Sequence, residues 1–221
     1  MLMKKGAEAD LFLEPFTKVL HGAGSGMVVV KRRVAKRYRI PEIDRKLRES
    51  RTSLEARLLS DSKKAGVSTP PVYLVDRRST SIVMRFIEGE QIKRMLNKTS
   101  RRKRREICLT IGKLVGRLHR AGIVHGDLTT SNMILGRDGR IYLVDFGLGE
   151  YDRSTEARGV DLHLLKRALQ SVHFRIADEV YRDVLSGYRH EFGRGAEEVI
   201  TRAEEIGRRG RYVEREERPW R

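Results

Sequence analysis

HGDLTTSN at residues 125–132 and DFG at 145–147 enclose MILGRDGRIYLV, two short apolar runs, MIL and IYLV, joined by the turn GRDG. Asp127 and Asp145 stand 18 residues apart, and Asn132 follows Asp127 by five. Alone, HGD would be an incidental turn and DFG an ordinary strand end. The D-x-x-x-x-N spacing, the second aspartate and the hairpin between them all agree, and together they decide the fold.

These segments resemble the catalytic core of a protein kinase. In that chemistry an aspartate on the catalytic loop positions the attacking hydroxyl, an asparagine five residues later holds one magnesium, and the DFG aspartate bridges magnesium to the phosphates. Asp127, Asn132 and Asp145 occupy those places. The charge on a transferring phosphoryl group must be balanced, and Mg²⁺ prefers hard oxygen ligands. The resemblance therefore implies ATP and Mg as cofactors. It also predicts a strand lysine upstream and a glutamate on the following helix to hold it. VVVK at 28–31 resembles the kinase VAIK strand and nominates Lys31; the expected partner is Glu55, 24 residues later, with Glu49 and Glu42 as rivals. The alternative makes Lys31 one more member of the basic run KRRVAKRYR and Glu55 a solvated helix residue.

The glycines of HGAGSG (21–26) do not form the phosphate-covering loop. Five residues from Gly26 to Lys31 cannot hold two strand passages, so HGAGSG reads as the hairpin turn entering the lysine strand. KKGAEA at 4–9 is the remaining segment for that loop, with Gly6, Ala7 and Glu8 at its tip; glycine there permits close backbone approach to phosphate. Glu88 and the residue after it are expected at the hinge, where backbone groups meet adenine.

Working outward, LFLEPF, MVVVK, VYLVD and SIVMRF read as strands in the first 88 residues. One helix begins at Pro41, with Ile43, Leu47, Leu54 and Leu58 recurring up to Gly66. Residues 102–120 place Ile107, Ile111, Leu114, Val115 and Leu118 on one helical face. Helical patterns resume at Val160 and run to about Arg209. The expected fold is α+β: a bilobed, protein-kinase-like chain with an antiparallel N-terminal sheet plus one long helix (1–88) and a reduced helical lobe (89–209). A basic, mobile tail (210–221) follows.

Two departures narrow the type. Gly126 replaces the arginine of the common HRD motif, and Thr129 replaces the lysine usual two residues after the catalytic aspartate. Only 11 residues separate Gly147 from Gly159, which leaves almost no activation segment. GAEA, VKRRVAKRYRIPEID, EARLL, HGDLTTSN, DFGLG and GVDL resemble the PRPK family, the atypical small kinase subunit of the KEOPS complex. The resemblance implies serine autophosphorylation and ATP hydrolysis. It also implies assembly with a TsaD-like catalytic subunit and other KEOPS subunits that form threonylcarbamoyladenosine in tRNA, and the compact length suggests an archaeal member. A RIO-type ribosome-assembly kinase, a small-molecule kinase of the aminoglycoside type and an idle kinase-fold RNA scaffold are the alternatives. In the kinase pattern His125 orders the catalytic loop, and Asp161 in GVDL braces it.

Composition fits a polyanionic partner. The 221 residues carry 47 Lys+Arg against 30 Asp+Glu, a net +17, and the runs KRRVAKRYR, RRKRR (101–105) and RRGR (208–211) offer charge for tRNA phosphates. Cys108 is the lone cysteine, expected as a buried thiol in a reducing compartment. No stretch reaches 18 consecutive apolar residues, so no membrane span and a cytoplasmic location are expected.

Overall fold

The structure is a computed structural model and describes residues 1–6, 8–20 and 25–216. Ala7 and most of the HGAGSG turn lie outside the described residues, as does the end of the tail.

The N-terminal half is a five-stranded antiparallel sheet in the order β1-β2-β3-β5-β4. Its strands are β1 (Leu2–Lys5), β2 (Ala9–Pro15), β3 (Met27–Arg33), β4 (Val72–Asp76) and β5 (Ser81–Arg85). Period-two alternation divides β3 between two faces. Val28 and Val30 pack with Val83, Phe12 and Phe16 under the short helix α1 (Phe16–Leu20), while Lys31 and Arg33 are buried on the opposite face. Helix α2 (Pro41–Lys64) links β3 to β4. Proline suits its first turn, where a missing N–H costs nothing, and Glu42 and Asp44 suit its positive end.

The buried stripe of α2 differs from the apolar spacing expected of it. Ile43 and Leu47 are 51% and 41% exposed, whereas Asp44, Thr52, Glu55, Leu59 and Ser62 are buried. At 100° per residue Ile43 and Leu47 lie roughly 120° and 80° around the helix from Glu55. A helix turned to bring Glu55 to the sheet must show those two side chains to solvent. Asp44 stays satisfied by Arg48 at 2.7 Å and Arg39 at 3.5 Å.

β5 ends at Arg85, and Glu88 lies in the link to β6 (Gly89–Gln91). Helix α3 (Ile92–Met95) and a 3₁₀ turn at 96–98 lead into α4 (Arg101–Arg120). Then come β7 (Ile123–Val124), the catalytic-loop segment, and the hairpin β8 (Met133–Gly136) and β9 (Ile141–Leu143). β6 pairs with β8, and β10 (Glu150–Tyr151) pairs with β7. Three helices follow: α5 (Thr155–Val172), α6 (Ala177–Phe192) and α7 (Ala196–Glu216). α5 starts before Val160 because Ser154 caps it, accepting from the Ala157 amide at 3.1 Å. α7 continues past Arg209, so residues 210–216 of the expected tail are helical.

One apolar core runs from Leu58 and Leu59 of α2 and Met84 of β5 through α4 to α6 and α7. At the α4–α6 crossing, a Cβ on Gly112 would lie 1.9 Å from the Val184 carbonyl oxygen and one on Gly187 would lie 2.1 Å from that of Leu109. Only glycines let these backbones touch.

Candidate active site

Lys31 is the centre of the site. Its Nζ donates to Glu55 Oε1 at 2.5 Å and to Asp145 Oδ1 at 2.6 Å. Burial works against the lysine's charge, but Glu55 and Asp145 outweigh it and hold its pKa above the ordinary 10.5. For Asp145 burial opposes the charge, and the neighbouring Lys31 ammonium nevertheless carries its pKa below 3.8. The DFG backbone is bent at this point: Asp145 has φ +65°, a strained conformation for a side-chain-bearing residue.

Glu55 holds two cations. Arg33 Nη2 donates to Glu55 Oε2 at 2.6 Å, an arrangement that the sequence reading missed. The signal was present, since residues two apart on a strand share a face, but Arg33 looked like one more charge in a basic run.

The catalytic loop is held from behind. Asn132 Nδ2 donates to the Asp127 carbonyl at 2.9 Å and to Asp127 Oδ2 at 2.8 Å. His125 Nδ1 accepts from the Asp127 amide at 3.3 Å while Nε2 faces the Val144 carbonyl at 3.2 Å. That pattern requires a neutral ring with its proton on Nε2, and burial lowers the pKa of His125 below 6.5 in agreement. Asp161 braces the loop by accepting from the His125 amide at 2.5 Å and the Gly126 amide at 2.8 Å. Its Oδ2 also faces His119 Nε2 at 3.3 Å, and His119 Nδ1 in turn meets the Tyr188 hydroxyl at 3.1 Å.

Lys31, Arg33, Asp127 and Asp145 line a cavity of about 220 Å³ that is roofed by Gly6, Glu8 and Ala9 of the β1–β2 connection. The structure brings Gly6 and Glu8 to this cavity; Ala7 lies outside the described residues. Glu88 is not brought there. Its carbonyl accepts from the Arg137 amide at 3.0 Å, its carboxylate pairs with Arg137 at 2.9 Å, and it lines a different hollow beside Met27, Tyr73 and Gly136.

Among the described residues no cluster of three or more His, Cys, Asp or Glu could hold a metal ion. Asp145 and Asn132 offer two hard oxygens, a donor set that suits Mg²⁺, which takes the rest of its shell from phosphates and water. No helix among these residues is long and apolar enough to cross a membrane.

The run RRKRR is largely engaged within the chain. Arg101 and Arg104 pair with Glu179, Arg105 with Asp183, and Arg102 and Lys103 with Glu106, at 3.2 to 3.7 Å. It ties α4 to α6.

The RIO domain family matches residues 27–173. Over 97% of its length the chain is 49% identical to the KEOPS complex subunit Bud32 of Pyrococcus abyssi, 97% of which is covered. It is 45% identical over 85% of its length to the probable serine/threonine-protein kinase BUD32 homolog of Archaeoglobus fulgidus, covering 90% of that protein. It is also 41% identical to the probable bifunctional tRNA threonylcarbamoyladenosine biosynthesis protein of Methanobrevibacter smithii, matching only 37% of that longer protein. Among solved structures, the Rio2 kinase-ADP/Mg²⁺-phosphoaspartate complex from Chaetomium thermophilum superposes with a TM-score of 0.63 at 14% identity, over 95% of this chain and 70% of that one. That last likeness is one of fold, and it supports the kinase-like α+β architecture. The domain match and the full-length matches together settle the lineage: the chain belongs to the Bud32 family of RIO-domain proteins.

Proposed function

We propose that the chain is an atypical serine/threonine kinase and ATPase that uses Mg-ATP and acts as the kinase subunit of a KEOPS complex in forming threonylcarbamoyladenosine on tRNA. The observation that carries this reading is that one cavity is lined by Lys31, Asp127 and Asp145, with Glu55 holding Lys31 at 2.5 Å and Asn132 holding Asp127 at 2.8 Å from behind. The names of the relatives support the biological setting.

Each residue has a distinct task in this reading. Lys31 presents a fixed ammonium to the α- and β-phosphates, and Glu55 keeps it there. Asp127, fixed by Asn132, orients a serine hydroxyl or a water and accepts its proton. Asp145 and Asn132 supply the oxygens for magnesium, which when bound neutralises charge on the phosphoryl group. Gly6 and Glu8 cover the phosphates. The partners are a TsaD-like subunit and tRNA. The tRNA contact is assigned to the basic surface of RRKRR, where Arg101, Arg102, Lys103 and Arg105 stay 58–92% exposed despite their surface pairs, and to the end of α7, where Arg208 and Arg209 are exposed.

The test follows γ-labelled ATP with magnesium, reading label on protein and released phosphate together, in wild type, Asp127→Ala and Asp145→Ala, with and without tRNA and a TsaD-like partner. Turnover that depends on both aspartates and rises with the complex is expected. Turnover equal in all three proteins, or absent under every condition, would replace this reading with an idle scaffold.

A further inference from the structure

We propose that Arg33 is a positioning residue of this site: it holds Glu55 in place while the Lys31 ammonium is drawn toward a nucleotide's phosphates. The inference deepens the Mg-ATP reading and rests on it.

Glu55 is 1% exposed and carries one cation on each oxygen, Lys31 on Oε1 and Arg33 on Oε2. Lys31 is shared with Asp145. The four groups are balanced as two cations against two carboxylates. When Lys31 also engages phosphate, a lysine–glutamate pair alone would leave the buried Glu55 carboxylate with only a shared counter-charge, which is costly. Arg33 removes that penalty, because the Arg33–Glu55 pair is neutral by itself.

Two further observations fit. The buried Arg33 Nε has no hydrogen-bond partner among the described residues, so the guanidinium is anchored through its bond to Glu55. A Cβ on Gly147 would sit 3.4 Å from both Arg33 Nη2 and Lys31 Nζ, so the DFG glycine lies directly on the two cations. The inward position of α2 is thereby built into the sheet. It does not wait on an activation segment.

The test uses the full chain and the variants Lys31→Met, Arg33→Met, their double, and Arg33→Lys. Thermal unfolding without nucleotide is the first arm. The double variant, with Glu55 buried beside no cation, should lose more than the sum of the two single losses; additive losses would overturn the proposal. The second arm measures phosphate release with Mg-ATP. Arg33→Met should lower kcat by roughly 10–100-fold, the range seen when a supporting partner is removed, with Arg33→Lys recovering part of it. KM for ATP should move by less than about threefold. An unchanged kcat, or a rise in KM alone, would overturn the positioning role. If wild-type turnover survives Asp145→Ala, the Mg-ATP reading fails, and the unfolding arm still decides whether Arg33 holds Glu55.

Discussion

The carbonyl oxygen of Leu148 occupies the place where a side chain on Gly126 would begin. A Cβ there would lie 2.1 Å from it, and Gly126 has φ +74°. The glycine of HGD is thus more than an arginine that lost its use. The segment after DFG packs against the HGD backbone at this point.

Gly126→Ala should therefore be poorly tolerated. The backbone conformation alone costs an alanine about 1–3 kcal/mol, and at this chain length each kcal/mol lowers Tm by roughly 2–4 °C. The clash with Leu148 adds to that. Calorimetry of the variant checks it; an unchanged Tm would mean that the two segments do not touch.

Glu55→Gln leaves buried Lys31 with Asp145 as its carboxylate partner and takes from buried Arg33 the carboxylate it bonds. Breaking a buried ion pair by removing one partner costs about 3–5 kcal/mol, so the loss should show as a lower midpoint in urea unfolding with an unchanged slope. The same substitution at Glu49, whose Arg45 partner is 66% exposed, should cost less than about 1 kcal/mol.

Stability should fall as pH drops below about 6.5. His125 is buried as the neutral ring, with its folded pKa below the ordinary 6.5. The unfolded chain therefore binds the proton first, and acid favours unfolding between the two values. His163 and His173 are also lowered by burial and act in the same direction. Asp145 behaves differently: its folded pKa lies below 3.8, so its contribution is present above that value and is lost only in stronger acid. Unfolding midpoints between pH 5 and 8 should slope upward, and the slope should flatten in His125→Gln.

Cys108 is fully buried in α4, and burial pushes its thiol pKa up to about 12. Alkylation by iodoacetamide should be negligible in the folded chain and appear in step with denaturant unfolding. Rapid labelling without denaturant would place Cys108 at the surface instead.

The acidic pair Asp127 and Asp145, Asn132, and the hairpin between them were legible because their spacing is local and their chemistry is narrow. The strands and long helices were legible from periodicity. Other features depend on contacts that no short window displays. The stripe through Asp44, Thr52 and Glu55 is polar, so apolar spacing does not mark it. RRKRR pairs with Glu179 and Asp183, more than 70 residues away. Arg33 was hidden by its basic neighbours, although Val28 and Val30 on the opposite face mark its orientation.

After Asp145 the chain has four residues before Glu150 pairs with Val124, and one residue later the Tyr151 hydroxyl donates to Asp61 of α2 at 2.7 Å. A tether so short loses its conformational freedom once, when the protein folds. Here the segment keeps no reserve of disorder to release or recover between one ligand and the next.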